Sequence, residues 1–405
     1  MEREELIYGW NRIQGPAKIS SDIKFDDETL RDGLQSPSVK DPELDEKIRC
    51  VHYMEQLGMF TADLGLPGAG PVAREHITQM VQEIADNKMK LIPNLACRTM
   101  VSDIEPVVEI QQKTGISCAI AMFIGSSEIR KVAEEWDLEG MLKTSTEAIE
   151  FCNKHGLPIM YVTEDTSRAT PETIKALYTN AIDHGVRWIT VCDTVGYSTP
   201  DGIITLMGFI VDEVVKPTGV EVQIDWHGHR DRGLSVINSL FAAECGASCI
   251  HGTILGIGER AGNAPLDQIL VNCALENIID RDLTVLGDYV KHVSKITGVE
   301  IPAGYPAFGE DAFLTGTGVH AAAVVKSLMK DDIWLADRVY SAVPAHDFGL
   351  EQNIAIGPMS GKWNARYWLK KHGYEESQDL IDKIMAAAKN ARRLLTDDEI
   401  ETAIN

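Results

Sequence analysis

Short β-branched runs alternate with longer amphipathic segments from residue 22 onward, and this alternation recurs eight times. The short runs predict strands, at 23–26, 60–66, 90–95, 117–124, 158–163, 188–192, 222–226 and 248–254. The longer segments predict helices, several opened by a proline in the first turn, such as 42–57, 71–84, 171–184, 200–215 and 232–245. Strands that alternate with helices form a parallel sheet, and eight such units close into a TIM (β/α)8 barrel.

The pattern changes after about residue 285, where two further helices are predicted at 283–297 and 319–329 around a loop at 301–309. A final helix is predicted from Leu380, Ile381, Ile384, Met385 and Ala388, which share one face. Thr396 and Glu399 have the spacing of a capping box. We therefore expect an N-terminal segment at 1–21, a TIM-barrel catalytic domain at 22–285 and a helical C-terminal region at 286–405.

The composition is that of a folded globular protein, with 44% hydrophobic and 24% charged residues over 405 positions. The net charge of −23 would repel a phosphate backbone, so nucleic acid is not an expected partner. A charged start and the absence of a long apolar run predict neither a secretory signal nor a membrane span. Eight cysteines scattered through apolar stretches are typical of reduced, buried thiols, and we expect a cytoplasmic protein.

Polar residues and glycines follow several of the predicted strands, at the end of the barrel where active sites lie. They are Glu28, Arg31, Asp32 and Gln35 after the first strand, Glu164 and Asp165 after the fifth, Asp193, Thr194 and Gly196 after the sixth, His227 and His229 after the seventh, and Gly256, Gly258, Glu259, Arg260, Gly262 and Asn263 after the eighth.

His227 and His229 are two residues apart in extended chain, so both imidazoles point to the same face. Asp32, from a neighbouring strand of a closed barrel, can add a carboxylate, and Asn263 a carbonyl oxygen. This mixed donor set predicts a divalent metal ion, and Mg, Mn, Zn and Co all accept such ligands. For an isolated pair of histidines the alternative is two surface side chains.

Arg31 beside this site is a candidate for stabilising oxyanion charge, and a structural ion pair with Glu28 or Glu259 is the alternative. Glu164 and Glu259 are candidates for handling protons or orienting a base, or are solvated loop carboxylates. The glycines after the eighth strand predict either backbone amides that face a ligand or a tight turn into the next helix.

These motifs together resemble the 2-isopropylmalate synthase and homocitrate synthase family of barrel enzymes. The resemblance covers about residues 22–375 and rests on Thr29-Leu-Arg31-Asp32-Gly-x-Gln35, Glu164-Asp165, Asp193-Thr194-Val-Gly196, His227-x-His229 with Asp231, Gly258-Glu259-Arg-Ala-Gly-Asn263, Gly318-Val-His320 and Ile356-Gly-Pro-Met-Ser360-Gly361.

The resemblance implies an acyltransferase of amino-acid biosynthesis that condenses acetyl-CoA with a 2-oxo acid and releases CoA. It implies metal ligands at Asp32, His227 and His229, with Asn263 nearby, and enolate or alkoxide stabilisation by Arg31. Glu164 would form the proton-transfer pair with His320, and His320 would come from the partner subunit of a homodimer. Thr194 and Glu259 are assigned to substrate binding.

Several positions depart from the family pattern. Leu34 stands where the synthases usually carry Glu, and the run Arg31-Asp-Gly-Leu-Gln35 is similar to that of 3-hydroxy-3-methylglutaryl-CoA lyases. Arg230 replaces an Asn, and Val162, Thr190 and Cys192 are unusual residues near the acceptor, which predicts a different 2-oxo acid. The chain ends near residue 405, so we expect no leucine-binding regulatory domain.

Three alternatives stand beside a condensing enzyme. A lyase that runs the reverse cleavage is the first, although the loop after the eighth strand lacks the cysteine of the lyases. The second is a non-catalytic barrel, which predicts missing metal ligands, whereas Asp32, His227 and His229 are all present. The third is a biotin-dependent carboxyltransferase, for which neither a carboxybiotin site nor a carrier domain is evident.

Overall fold

The computed structural model describes residues 3–12 and 18–405. Within this part of the chain, eight parallel strands close into a barrel, each strand paired with its neighbour in sequence and the first with the eighth. The strands are β1 Lys24–Asp27, β2 Thr61–Asp63, β3 Ile92–Arg98, β4 Ala119–Gly125, β5 Ile159–Glu164, β6 Trp188–Asp193, β7 Gln223–Gly228 and β8 Cys249–Gly252. The predicted TIM barrel is confirmed.

Helices connect the strands around the outside of the barrel. They are α1 Leu44–Gln56, α2 Pro71–Asp86, α3 Val101–Thr114, α4 Glu128–Glu134, α5 Leu138–His155, α6 Pro171–Asp183, α7 Pro200–Phe209, α8 Ser235–Glu244 and α9 Leu266–Leu275. Pro71, Pro171 and Pro200 open their helices as predicted, whereas α1 begins two residues after Pro42. After α7 the chain continues in π-helical turns at Ile210–Val215, so the predicted helix at 200–215 is not a single regular α-helix.

The chain divides into two compact units. The first contains the barrel and runs to Asp282, with Tyr289–Val299 added. The second consists of Leu283–Asp288 and Glu300–Asn405. The helix α10 Leu286–Thr297 contains residues of both.

The second unit is mainly helical, as predicted. Its elements are β9 Leu314–Thr315, α11 Gly318–Leu328, α12 Ile333–Arg338, β10 Asn353–Ile354, α13 Lys362–Lys371, α14 Gln378–Asn390 and α15 Asp397–Ile404. The apolar face predicted on α14 packs into a core with Trp368 and Ile400. Thr396 caps α15, and Glu399 bonds back to it, which confirms the capping box. Among the described residues, no helix has the length and apolarity that crossing a bilayer requires.

Candidate active site

A cavity of about 280 Å³ opens at the end of the barrel where the strands finish. In a TIM barrel this end carries the loops that follow the strands and holds the active site. The lining comes from Glu28, Arg31, Asp32, Gln35, Leu66, Ala96, Ala121, Phe123, Met160, Val162, Glu164, Thr190, Cys192, Thr194, His227, His229, His251, Glu259 and Arg260.

Asp32, His227 and His229 meet at one side of this cavity. The Nε2 atoms of both histidines lie 3.8 Å from Oδ2 of Asp32, and one donor atom from each residue fits within 4.8 Å of the others. Each of the three side chains is less than a tenth exposed. Two imidazole nitrogens and a carboxylate in this arrangement are a donor set that divalent metal ions accept.

Asn263 and Gly258 complete the surroundings of this cluster. The Asn263 amide donates to Oδ1 of Asp32 over 2.9 Å. Its Oδ1 atom is buried and accepts no hydrogen bond from any described residue, as expected of an oxygen that faces a cation. A side chain at position 258 would lie 2.3 Å from the Asn263 amide and 3.3 Å from Asp32, so only glycine leaves the donor atoms free. The residues therefore fit a divalent metal ion.

Buried polar residues orient His227 from below. Its Nδ1 lies 2.7 Å from Oε2 of Glu28, which leaves Nε2 directed at the cluster. The other Glu28 oxygen contacts His251 over 3.1 Å, and His251 in turn contacts Asp225 over 3.0 Å. The sequence pattern predicts Glu28 only as an ion-pair partner of Arg31 and indicates no role for His251 or Asp225. The signal was the period-two alternation that turns Asp225 inward together with His227.

Burial and charge set the protonation of the cluster. Burial alone would raise the pKa of Asp32, but Arg31 and the two histidines lower it, so the carboxylate is ionised. Burial and the nearby His227 lower the pKa of His229 to about 4, so its imidazole is neutral and can act as a ligand. Burial would also raise the pKa of Glu28, yet His227 and Arg31 hold it well below its ordinary value.

Arg31 is fixed by three carboxylates. Its guanidinium nitrogens lie 2.6 Å from Asp63, 3.0 Å from Asp32 and 3.2 Å from Glu28. The pairing with Glu28 was anticipated as a structural alternative, and the pairing with Asp63 was not. Arg31 also lines the cavity, so the same side chain is held rigidly and is accessible to a bound ligand.

Glu164 ends β5 on the wall of the cavity, 3.7 Å from the Arg130 guanidinium. Burial raises its pKa above the ordinary value, although Arg130 and Arg31 oppose the shift. A carboxyl with a raised pKa that faces a cavity has the chemistry of a general acid or base.

The remaining predicted residues differ in their placement. The Thr194 hydroxyl accepts a hydrogen bond of 2.8 Å from the Asp165 amide, which leaves its proton free for a ligand in the cavity. Glu259 lies at the rim with most of its side chain exposed, 3.7 Å from Arg260. His320 belongs to the second unit, where its ring stacks on Tyr340 with centroids 4.1 Å apart. The structure thus gathers the predicted residues of the barrel at one cavity.

The loop after β8 is a tight turn. Gly256, Gly258 and Gly262 have φ angles of 58°, 150° and 103°, and a side chain at Gly262 would lie 1.9 Å from the Gly256 carbonyl oxygen. Arg230 holds this loop by donating to the carbonyl oxygens of Ala261 and Leu255. Its place in the structure therefore gives Arg230 a role in loop geometry.

Solved structures share the barrel. An HMG-CoA lyase from Acinetobacter baumannii superposes with a TM-score of 0.59 at 20% identity, over 70% of this chain and 93% of that one. The carboxyl transferase domain of Rhizobium etli pyruvate carboxylase gives a TM-score of 0.51 at 13% identity, over 69% of this chain and 47% of that one. Identities this low show the fold alone. Fold and cavity together define a TIM-barrel enzyme with a nitrogen and oxygen donor set at its mouth.

The model of the HMGL-like family matches residues 22–286, and the chain belongs to this family. A probable 2-isopropylmalate synthase of Methanopyrus kandleri is 30% identical, over 91% of this chain and 69% of that protein. The homocitrate synthase AksA of Methanosarcina mazei is 28% identical, over 95% and 90%. A 2-isopropylmalate synthase of Sulfolobus acidocaldarius is 29% identical, over 95% and 96%. The predicted membership among these synthases is confirmed.

Proposed function

We propose that this chain condenses acetyl-CoA with a 2-oxo acid, giving a 2-hydroxy dicarboxylic acid and CoA. The observation that carries the proposal is the meeting of Asp32, His227 and His229 at a cavity that also contains Arg31 and Glu164. The names of the relatives, which are synthases of 2-isopropylmalate and homocitrate, support it.

Asp32, His227 and His229 would hold a divalent metal ion, with Asn263 beside them. Such an ion, when bound, supplies Lewis-acid polarisation of the keto group and a template for the acceptor. The buried Glu28 carboxylate keeps His227 in the orientation that a ligand needs. Mg, Mn, Zn and Co all remain compatible with this donor set.

The reaction needs one proton removed and one added. Glu164, together with His320 of the partner subunit in a homodimer, would take a proton from the acetyl methyl group. The methyl carbon then forms a bond with the keto carbon, and the keto oxygen takes up a proton to become the hydroxyl. Water cleaves the thioester and gives the second carboxylate and the CoA thiol, which makes the sequence irreversible.

Arg31 would stabilise the negative charge on the enolate or alkoxide oxygen. Its three carboxylate contacts fix the guanidinium before substrate arrives, so little reorganisation is required when charge develops. Thr194 has a hydroxyl proton available to the substrate, and Glu259 would contact substrate from the rim. The cysteines are free thiols, which agrees with a reducing, cytoplasmic location.

The test is thiol release from acetyl-CoA by the purified protein, measured with a panel of 2-oxo acids, with and without a metal chelator. We expect release that depends on the acceptor and stops with chelator.

Asp32→Ala and His227→Ala should each lower kcat by at least roughly 100-fold in a folded protein, because metal polarisation is worth several kcal/mol.

His52→Ala is the matched control, since His52 also pairs with a carboxylate, Glu83 at 2.8 Å, but lies outside the cavity. It should retain normal activity. Full activity in folded Asp32→Ala or His227→Ala would remove the metal-site assignment, and absence of thiol release with any acceptor would count against the condensation itself.

A further inference from the structure

Half of the cavity wall is apolar. The cluster of Asp32, His227 and His229, with the adjoining Asn263, is here called the metal side of the cavity. It comes from the ends of β1 and β7 and the loop after β8, whereas the other half of the ring is β3 to β6. In one layer, Ala96 pairs with Ala121, which pairs with Met160. In the next layer toward the mouth, Phe123 pairs with Val162. We call these five side chains the apolar wall; all line the cavity.

None of the described polar groups that adjoin the apolar wall on β3 to β6 is positively charged. Thr190 pairs with Val162, and its buried Oγ1 has no hydrogen-bond partner among the described residues. Cys192, a buried free cysteine on the same strand, also lines this side. This side of the cavity can therefore offer a ligand the Thr190 hydroxyl and, at the end of β5, the Glu164 carboxyl, but no positive charge.

The arginines of the cavity are already engaged elsewhere. Arg31 is bound to three carboxylates, at the metal side. Arg260, at the rim, lies 2.9 Å from Asp231 and donates to the Thr194 carbonyl oxygen over 2.5 Å. Of the described lining residues on β3 to β6, none carries a positive charge. A carboxylate brought against the apolar wall would be buried without a counter-ion, which is strongly unfavourable.

We propose that the acceptor is a 2-oxo monocarboxylic acid with a short, uncharged and mainly apolar side chain that packs on the apolar wall. This inference rests on the proposed function and narrows its substrate class. The acceptor's own carboxylate and keto group would face the metal side, so only the side chain reaches the wall. Met160 is almost fully buried in the deeper layer and limits the length of that side chain. The cavity of about 280 Å³ lies just below the ~300–1,000 Å³ range of ligand sites, which favours a small acceptor.

The first test compares kcat/KM for acceptors in the thiol-release assay. Pyruvate, 2-oxobutyrate, 2-oxoisovalerate and 4-methyl-2-oxopentanoate represent the proposed class, and oxaloacetate and 2-oxoglutarate carry a second carboxylate. The best monocarboxylic acceptor should exceed both dicarboxylic acids by roughly 100-fold or more, because the second carboxylate has no partner. A preference for either dicarboxylic acid would overturn the inference while leaving the condensation intact.

Calorimetric binding of the same acids to the metal-loaded protein gives a readout that does not depend on turnover. Binding of the monocarboxylic acids alone, without thiol release, would support the apolar wall and refute the proposed reaction. Tighter binding of the dicarboxylic acids, or no binding of any acid, would refute the inference.

Met160→Ala tests the wall directly, since it deepens the cavity. It should raise the ratio of kcat/KM for 4-methyl-2-oxopentanoate over pyruvate by roughly 10-fold. Met122→Ala is the matched control, because Met122 is equally buried on β4 but does not line the cavity. It removes the same atoms and should leave the ratio unchanged. An unchanged ratio in folded Met160→Ala, or the same change in both variants, would overturn the assignment.

Discussion

At the scale of single residues, Glu28 connects the side chains beneath the cluster of Asp32, His227 and His229. Its carboxylate contacts His227, Arg31 and His251, and only 3% of the residue is exposed. The contact with His227 Nδ1 fixes which nitrogen points at the cluster, and the contact with Arg31 fixes the proposed oxyanion donor. One carboxylate therefore positions two groups that would act on the substrate.

Glu28→Gln keeps the shape of this side chain and removes its charge. We expect metal affinity to fall roughly 10–100-fold, the usual cost of losing a partner that orients a ligating histidine. A competition titration against a chelator of known affinity measures the change. Glu83→Gln, which alters the partly buried pair with His52 outside the cavity, should leave metal affinity as it is. Unaltered affinity in Glu28→Gln would show that His227 does not depend on this carboxylate.

At the scale of elements, the site is made by the segments that follow the strands. β7 ends at Gly228, and His229 then forms an isolated bridge with Asn263, which ties the end of β7 to the loop after β8. Arg230 fastens the same loop through two carbonyl oxygens. The loop thereby holds Asn263 against Asp32. A change in the conformation of the loop would therefore also move the candidate metal-ligating atoms.

Gly258→Ala tests this coupling. The added methyl group would lie 2.3 Å from the Asn263 amide, so the loop must shift and the cluster must open. We expect metal affinity to fall at least roughly 10-fold in a protein with normal secondary structure. The measurement is the same chelator competition, with circular dichroism to verify the fold.

Gly70→Ala separates backbone strain from the collision at Gly258. Gly70 has a similar φ of 138°, but an added side chain there meets nothing within 4 Å. It should cost some stability and leave metal affinity unchanged. Equal effects of the two substitutions would mean that strain, and not contact with Asn263, explains the result.

At the scale of the whole molecule, closing the barrel buries acidic groups that affect stability. Asp27 is fully buried at the end of β1, where it accepts hydrogen bonds from the Thr29 amide and the Tyr289 hydroxyl. Burial raises its pKa to about 7, far above the value near ~4 of an unfolded chain. The folded protein therefore keeps this proton over a pH range in which the unfolded chain has already released it.

The sign of the effect follows from linkage. As pH rises from about 4 to about 7, Asp27 ionises in the unfolded state but stays protonated in the folded state. The unfolded state is thereby stabilised relative to the folded state, so the free energy of unfolding falls and then levels off above pH 7. In Asp27→Asn, the fall in the free energy of unfolding over this pH range should be smaller than in the unsubstituted protein, by up to about 4 kcal/mol. Urea unfolding at pH 4.5 and 7.5 measures it. Asp86→Asn, on the exposed end of α2, should behave as the unsubstituted protein, and an identical fall in Asp27→Asn would refute the buried-proton interpretation.

The alternation of strands and helices is local, and it was enough to predict the barrel and most of its elements. The two-residue spacing of His227 and His229 also defined which faces they share, because side-chain direction alternates along a strand. The rule that strand ends meet at one mouth of the barrel then placed Asp32, Arg31 and Glu164 near them. These inferences need only neighbours in sequence and a known architecture.

Contacts between distant parts of the chain were decided by the tertiary structure. Glu28 meets His251 across 223 residues, and Asn263 meets Asp32 across 231. Which inward-facing side chains touch depends on ring closure, register and packing, none of which has a local periodic signature. For this protein, the sequence by itself determined the architecture and the donor atoms of the candidate site. The tertiary structure decided which buried groups orient those donors and that the opposite wall is apolar, because both depend on strands that meet only when the barrel closes.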